Sequence, residues 1–262
     1  MTTQESTFAF GENWSNYVKL VGPARIHTAK TSLLNMLAIE PWEGIRFLDV
    51  GCGSGVFSLA ARQLGAHVYS FDADSASVAC ARALRHHYCP TETKAWRIEQ
   101  GSVLDHAYLA ALGTFDVVYA WGVLHHTGAM WQACENLIPN IKPEGRLFLA
   151  LYNDQGWRSS YWKQVKRLYN RDAVLKTLIT IGHLPLVGGR YIARLLSGRL
   201  KHRRGMSLWH DYVDWIGGYP YEVARPEAVI DLYRMHGFAV EKLNTDQRRS
   251  GCNEFVFIRN SK

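Results

Sequence analysis

The chain has 262 residues, which is enough for one large α/β domain and too few for two independent domains of ordinary size. Its hydrophobic fraction of 47% is typical of globular proteins, and no apolar run approaches the roughly 18–20 residues that cross a bilayer, which argues against an integral membrane protein. The formal charge is +7, and the five cysteines form no Cys-x-x-Cys pair, which indicates the reduced thiols of a cytoplasmic protein.

The N-terminal segment predicts one or two helices over residues 14–39. Met1–Ser6 have neither the basic nor the apolar region of a secretory signal, so we expect none. Trp14 and Tyr17 share one helical face because they are three residues apart. We expect this face to close over a bound cofactor, although ordinary packing of an N-terminal helix accounts for the same spacing.

A glycine-rich turn follows the first predicted strand, at residues 46–50. Asp49 precedes Gly51, Cys52, Gly53 and Gly55, and a helix is predicted over 56–64. Glycines at every second position allow a sharp turn and a close approach to a ligand. The spacing differs from Gly-x-Gly-x-x-Gly, and no Gly-Lys-Ser/Thr follows to bind a phosphate. The Asp49 carboxylate would repel a pyrophosphate but could accept a bond from an ammonium, which favours S-adenosylmethionine.

The second predicted strand, at 67–72, ends in Asp72. An acidic residue at this position can bind both hydroxyls of a ribose, as in nucleotide-binding α/β folds. The alternative is an aspartate of a surface loop. Asp74 is a second, less favoured candidate for the same role.

Further strands are predicted near 95–100, 115–120 and 146–152, with helices over 75–87 and 129–141 and a turn at 143–145. A helix at 226–236 and strands near 238–244 and 253–259 close the chain. The alternation of strands and helices predicts a doubly wound α/β sheet.

Two histidines follow the fourth strand. His125 and His126 are candidates for the catalytic base, because histidine titrates near neutral pH. The alternative is that one of them caps the helix that begins near residue 129. No cluster of carboxylates accompanies them, so we expect no metal.

The segment from Arg158 to Arg204 is strongly basic. It holds twelve lysines and arginines against the single Asp172, a net +11, so the remainder of the chain carries −4. Its apolar stretches predict helices. They could form a lid over the active site, attract an anionic substrate or membrane surface, or contact a second subunit. The segment has no recognised RNA- or DNA-binding module, so nucleic acid is the least favoured partner.

Polar and aromatic residues outside the predicted core are candidates for binding a substrate. Asn153 follows the fifth strand, where strand ends face the ligand crevice of such folds. Tyr219, Tyr221 and Glu222 follow a Gly-Gly pair. The Glu222 carboxylate could bind a cationic group or cap the helix near Pro226.

From about residue 46 to 152 the sequence resembles the class I S-adenosylmethionine-dependent methyltransferases. The motifs are Leu-Asp-Val-Gly-Cys-Gly-Ser-Gly at 48–55, Asp72, Gly-Ser-Val-Leu-Asp at 101–105, Phe-Asp-Val-Val-Tyr-Ala-Trp-Gly-Val-Leu-His-His at 115–126 and Lys-Pro-Glu-Gly-Arg-Leu-Phe-Leu-Ala at 142–150. The resemblance implies a Rossmann-like seven-stranded sheet with helices on both faces, an antiparallel last strand and a helical insertion between strands 5 and 6.

The resemblance also implies roles for particular residues. Ser102 and Val103, and less securely Asp105, would lie along the adenine, and Ala120 and Trp121 along the methionine part of the cofactor. In quinone-directed O-methyltransferases a histidine occupies the position that matches His126. An acidic residue often stands at the position of His125.

These observations predict three parts of one domain: N-terminal helices and cofactor-binding core at 1–152, a basic helical insertion at 153–225, and a closing helix with two strands at 226–262. The predicted function is methylation of a small-molecule acceptor, on oxygen, by a cytoplasmic protein that could also be peripheral to a membrane. Methylation of RNA or protein is an alternative. An inactive cofactor-binding regulatory subunit is another.

Overall fold

A computed structural model describes residues 21–91, 94–196, 216–245 and 251–261, with side chains left undescribed at 184 and 186–196. Its seven strands form one sheet in the order β3-β2-β1-β4-β5-β7-β6. They are β1 Arg46–Val50, β2 His67–Asp72, β3 Trp96–Gln100, β4 Phe115–Trp121, β5 Ile141–Tyr152, β6 Phe238–Asn244 and β7 Cys252–Arg259. Strands β1 to β5 are parallel, whereas β7 is antiparallel to both β5 and β6.

The helices of the described chain are α1 Pro23–Leu37, α2 Val56–Leu64, α3 Ser75–Tyr88, α4 His106–Leu112, α5 Met130–Asn136, α6 Trp157–Tyr169, α7 Ala173–Leu196 and α8 Pro226–Met235. Side chains along each strand alternate between two apolar cores. On β4, Val117 and Tyr119 pack with α1, α2 and α3, whereas Val118 and Ala120 pack with α4, α5 and α8. The predicted doubly wound sheet with helices on both faces is therefore confirmed. Along the chain, α6 and α7 come after β5 and before β6.

Some predicted elements differ from the structure. The helix expected over 129–141 ends at Asn136, and a short 3-10 turn, Ile138–Asn140, follows it. Pro139 has no N–H to donate to the carbonyl four residues before it, which explains why the α-helix does not continue through this position. Residues 143–145, expected as a turn, form an irregularity inside β5, where Glu144 has φ 61° and regular pairing with β4 resumes at Arg146.

The helix α4 was absent from the prediction. Asp105 begins it, because its side chain accepts a hydrogen bond from the Tyr108 N–H at 3.0 Å. The structure therefore gives Asp105 the role of a helix cap, and its contact with an adenine remains a prediction.

Candidate active site at the carboxyl edge of the sheet

The glycine turn connects β1 to α2 and is fixed by backbone hydrogen bonds. The N–H groups of Gly51 and Cys52 both donate to the Phe71 carbonyl on β2, at 2.8 and 3.0 Å. Gly51 and Gly53 have φ of 66° and 52°, in the left-handed region that favours glycine. A Cβ on Gly51 would also lie 2.4 Å from a methyl group of Val123, so this position has no room for a side chain.

Asp49 lies directly below this turn and is buried, with 2% of its surface exposed. Its carboxylate accepts a hydrogen bond from the Ser58 hydroxyl, which in turn lies 2.7 Å from Ser70 Oγ. Burial, together with the negative charge of Asp72, raises the pKa of Asp49 to about 7, although the Ser58 hydroxyl opposes the shift. A positive charge on a ligand would lower this pKa and stabilise the carboxylate.

Asp72 ends β2, and its two carboxylate oxygens accept different backbone N–H groups. Gly53 donates to one at 2.9 Å and Asp74 to the other at 2.9 Å. Burial raises the pKa of Asp72, and the two N–H donors oppose the shift. The side chain of Asp74 instead accepts from the Ala76 N–H at 2.8 Å and caps α3. Asp72, and not Asp74, therefore holds the glycine turn against β2.

The segment after β3 lies beside this turn. Gly101 donates its N–H to the Asp72 carbonyl at 3.0 Å. The Ser102 hydroxyl accepts from the Leu104 N–H at 3.2 Å. Val103 is buried in the apolar core, and its carbonyl accepts from the Asn136 side chain at 2.9 Å. The proposed contacts of Ser102 and Val103 with an adenine remain predictions.

Ala120 and Trp121, at the end of β4, were both predicted to contact the methionine part of the cofactor, and they differ in their surroundings. Ala120 is fully buried in the core. The Trp121 indole N–H donates to a Glu254 carboxylate oxygen on β7 at 2.8 Å. The bond spans the intervening strand β5, where Ala150 pairs with Trp121 on one side and with Glu254 on the other. This bond directs the indole N–H away from β1 and its glycine turn. Sequence reasoning did not foresee it.

The two histidines form a 3-10 turn, Leu124–His126, just beyond β4. The Nδ1 atom of His126 lies 2.7 Å from the Pro220 carbonyl oxygen, which can only accept, so Nδ1 carries the proton and Nε2 carries a lone pair. Burial lowers the pKa of His126 to about 4, against the opposing effect of the Pro220 bond. His126 is therefore a neutral imidazole at physiological pH.

His125 is fully buried, and neither of its ring nitrogens has a hydrogen-bond partner among the described residues. Its ring centroid lies 3.9 Å from that of Tyr152 and 4.5 Å from that of His126. Burial lowers the pKa of His125 well below its usual value, and repulsion from a protonated His126 and from Lys166 lowers it further. His125 therefore contributes an uncharged ring to the stack.

A cleft opens next to this stack, between the end of β5 and the helix α6. It is lined by Tyr152, Asn153, Gln155, Ser159, Trp162, Lys166, Tyr221 and Gly251. The Tyr221 ring lies 5.3 Å from that of Tyr152. Burial raises the pKa of Tyr221 to about 12, and a hydrogen bond with Ser159 opposes the shift. Asn153 and Tyr221, both predicted to bind substrate, thus lie together on the cleft.

Residues 216–225, called here the crossing segment, run from α6 past the histidines to β5. The Asn170 side chain donates to the Gly217 carbonyl at 2.7 Å, and the Glu222 N–H donates to the His125 carbonyl at 3.0 Å. The Ala224 N–H donates to the Tyr152 carbonyl at 2.9 Å. The crossing segment thereby holds both the histidine turn and the end of β5.

Two further predicted substrate residues belong to the crossing segment. Tyr219 is buried, with 8% of its surface exposed, and is not among the residues that line the cleft. Both Glu222 carboxylate oxygens accept from the Met130 N–H, at 3.3 and 3.1 Å. Glu222 therefore caps α5, whereas the prediction offered the helix at Pro226 or a cationic ligand. Neither histidine performs this capping.

Two predicted cofactor residues, a metal site and a membrane-spanning helix remain to be considered. Trp14 and Tyr17 lie outside the described residues. Within the described ranges, no group of three or more metal-binding side chains lies together, and no helix is both long and apolar enough to cross a membrane.

Sequence reasoning missed Lys166, Ser159, Gln155 and Trp162 as cleft residues. It counted Lys166 only as one of the basic charges. A signal was present, because Trp162, Val165 and Tyr169 form an apolar face of α6 at helical spacing. Lys166 lies on that face, four residues after Trp162. Lysine is rarely buried in folded proteins, so its place on an apolar helix face was the available signal.

The sheet order and the glycine turn define a Rossmann-like domain, and in such folds the ligand crevice lies at the carboxyl edge of the sheet. A family model described as "Methyltransferase domain" matches residues 48–147. Over its length the fold is similar to a magnesium protoporphyrin IX methyltransferase from Synechocystis PCC 6803 solved with bound SAH. The TM-score is 0.58 at 16% identity, over 95% of this chain and 94% of that chain.

Two curated relatives named "Ubiquinone biosynthesis O-methyltransferase" cover more of the sequence than the family model. The protein from Xanthomonas axonopodis pv. citri (strain 306) is 31% identical over 182 residues, or 68% of this chain and 62% of that protein. The one from Chelativorans sp. (strain BNC1) is 27% identical over 183 residues, or 68% of this chain and 58% of that protein. The chain spans about half the length of the curated relatives that it matches.

These comparisons support a class I S-adenosylmethionine-dependent methyltransferase.

Proposed function

We propose that this protein methylates a hydroxyl group of a small molecule, with His126 as the proton acceptor. The curated relatives are named O-methyltransferases, which supports an oxygen acceptor. The observation that carries the proposal is the 2.7 Å bond between His126 Nδ1 and the Pro220 carbonyl, because it leaves the lone pair on Nε2.

The residues around the glycine turn fit S-adenosylmethionine. Asp49 is a buried carboxylate and Asp72 a partly buried one, at the ends of adjacent strands, and each has a raised pKa. A ligand with positive charges would relieve this unfavourable burial of two like-charged groups. Asp72 is also held by two N–H donors, which leaves further lone pairs for ribose hydroxyls.

When bound, S-adenosylmethionine supplies an activated methyl group on a sulfonium. The protein then needs to orient the acceptor and remove its proton. The aromatic rings of Tyr152 and Tyr221 give the cleft flat walls beside the histidine turn. His126 would accept the hydroxyl proton on Nε2 while its Nδ1–H remains bonded to Pro220.

Transfer of a labelled methyl group tests this proposal. We would incubate the protein with methyl-labelled S-adenosylmethionine and a cell extract separated into small molecules, RNA and protein. We expect label in methyl ethers of the small-molecule fraction. The His126→Ala variant should transfer about 10²–10⁴-fold more slowly, because a positioned base contributes this much to the rate.

His125→Phe is the matched control. Phenylalanine keeps an aromatic ring in the stack and removes two buried nitrogens that lack partners among the described residues, so stability should not fall. We expect transfer within a few-fold of wild type. Label in RNA or protein, or a His126→Ala variant as fast as wild type with the chemical step rate-limiting, would overturn the proposal.

A further inference from the structure

The proposed proton transfer does not use Lys166, a buried lysine that lines the cleft. This lysine lies on α6 and is 1% exposed, whereas Lys163 on the same helix is exposed. Its neighbours on the inner face of α6 are Trp162, Val165 and Tyr169. Burying an ammonium costs several kcal/mol unless compensating interactions are made.

The Lys166 side chain reaches the cleft through its aromatic wall. Its Nζ lies 5.1 Å from the ring centroid of Tyr221, a favourable distance for a cation over a ring. Lys166 lines the cleft together with polar side chains, among them Asn153 and Ser159. The cleft therefore combines a buried positive charge, hydrogen-bonding groups and flat apolar surfaces.

The charge of Lys166 also acts on the histidine turn. Burial lowers the pKa of both His125 and His126, and the positive charge of Lys166 lowers both further. A base with a pKa of about 4 is a weak proton acceptor at neutral pH, because efficient general bases have pKa values near the working pH. An acceptor hydroxyl would therefore lose its proton more easily if a nearby cation stabilised the oxyanion that forms.

We infer that Lys166 is a specificity-determining residue that binds an oxyanion of the acceptor, so that the cleft selects aromatic or similarly flat acceptors carrying acidic oxygen. This inference rests on the proposed function, because it deepens the identity of the acceptor at the same site. The oxyanion has two sources: a carboxylate borne by the acceptor, or the ionised hydroxyl that receives the methyl group.

Two probe pairs separate these sources. For the carboxylate, 4-hydroxybenzoate is compared with 4-hydroxybenzamide, which has a similar shape and no charge. For the ionised hydroxyl, 4-nitrophenol is used because its colour reports its ionisation in the bound state. Binding is measured by titration on the full chain in the presence of S-adenosylhomocysteine. We compare wild type with Lys166→Met, Lys166→Arg and, as a matched control on α6, Lys163→Met.

We expect one of two supporting outcomes. Either 4-hydroxybenzoate binds wild type more tightly than the amide, or the pKa of bound 4-nitrophenol falls. Whichever effect is observed should weaken roughly 10- to 100-fold in Lys166→Met, the loss of one charge-assisted hydrogen bond. Lys166→Arg should retain most of it, and Lys163→Met should match wild type. Retention of charge by arginine distinguishes recognition of the oxyanion from a purely structural role of the side chain.

The inference is overturned if the acid and the amide behave alike and bound 4-nitrophenol ionises as in water. It is also overturned if Lys166→Met leaves both effects unchanged. These outcomes are distinguishable from failure of the proposed function. Charge-selective binding does not require methyl transfer, and a protein that transfers methyl groups to neutral acceptors would contradict the inference alone.

Discussion

At the scale of single residues, burial of the Asp49 carboxyl destabilises its charged form, and the same residue lies at the predicted cofactor site. Its carboxyl is buried beneath the glycine turn and has a pKa of about 7, against 3.8 for an ordinary aspartate. The folded protein therefore retains a proton that the unfolded chain has lost between these two pH values. By linkage, the contribution of this group to stability is full below about pH 4 and is lost as the pH rises to about 7.

The variant Asp49→Asn should remove this dependence. Asparagine keeps an oxygen that can accept from Ser58 and has no proton to lose. We expect the free energy of unfolding to exceed that of wild type by up to about 4 kcal/mol above pH 7, since each pKa unit corresponds to about 1.4 kcal/mol. Denaturant unfolding of both proteins from pH 4 to pH 8 measures the difference.

The unfolding measurements near pH 4 are the internal control. The wild-type Asp49 carboxyl is protonated there, so the two proteins should be equally stable. Parallel stability curves across the whole range would show that Asp49 is not buried with a raised pKa. A more stable variant that binds the cofactor less tightly would match the expected conflict between stability and function at a binding site.

At the scale of elements, the crossing segment joins parts that are distant in sequence. It bonds α6 through Gly217, the histidine turn through Pro220 and Glu222, and the end of β5 through Ala224. Local sequence patterns do not report these contacts, because each partner lies about 45 or more residues away. The same reason explains why the sequence offers Glu222 the helix at Pro226 or a cationic group as partner, and not α5.

Glu222→Ala tests this arrangement. The substitution removes the acceptor for the Met130 N–H at the start of α5, and loss of such a cap costs about 0.5–2 kcal/mol. We expect that decrease in the free energy of unfolding, together with slower methyl transfer, because the lost carboxylate joins α5 to the crossing segment, whose backbone holds the His125 carbonyl. Thermal or denaturant unfolding gives the first quantity.

Glu227→Ala is the matched control for Glu222→Ala. Glu227 is an exposed carboxylate in the first turn of α8, for which no hydrogen bond is described. The substitution should change stability by less than about 0.5 kcal/mol, as is usual for surface sites. If both variants were equally stable, the Glu222 carboxylate would not be holding α5.

At the scale of the whole molecule, the sequence predicted the sheet well and the cleft poorly. The bounds of β1, β2 and β6 match the predicted strands, because these strands show apolar runs bounded by clear turn signals. The antiparallel position of β7 came from family resemblance, since strand direction is not encoded in a local pattern. Most of the cleft lies after residue 152, beyond the recognised motifs, and there only Asn153 and Tyr221 were found.

The basic insertion is only partly described. On α7, Val174, Leu178 and Ile181 are exposed and share one helical face. Attraction of an anionic substrate or a membrane surface by this region remains a prediction. Within the described residues, the insertion's clearest contribution is α6, which carries Lys166 to the cleft.

Asp72 holds the glycine turn through Gly53 and is predicted to bind the ribose of the cofactor, so the cofactor site depends on this residue most directly. Calorimetric titration with S-adenosylhomocysteine tests it. Asp72→Asn keeps the size of the side chain but loses its charge, so we expect affinity to fall about 10-fold or more. Asp74→Ala is the control.

Asp74→Ala should lose about 0.5–2 kcal/mol of stability with the α3 cap and keep the wild-type affinity for S-adenosylhomocysteine. Tight binding by wild type and Asp74→Ala, with weak binding by a folded Asp72→Asn, is the predicted result. No binding by wild type, or equal affinity in Asp72→Asn, would contradict the assignment of the cofactor site to the ends of β1 and β2.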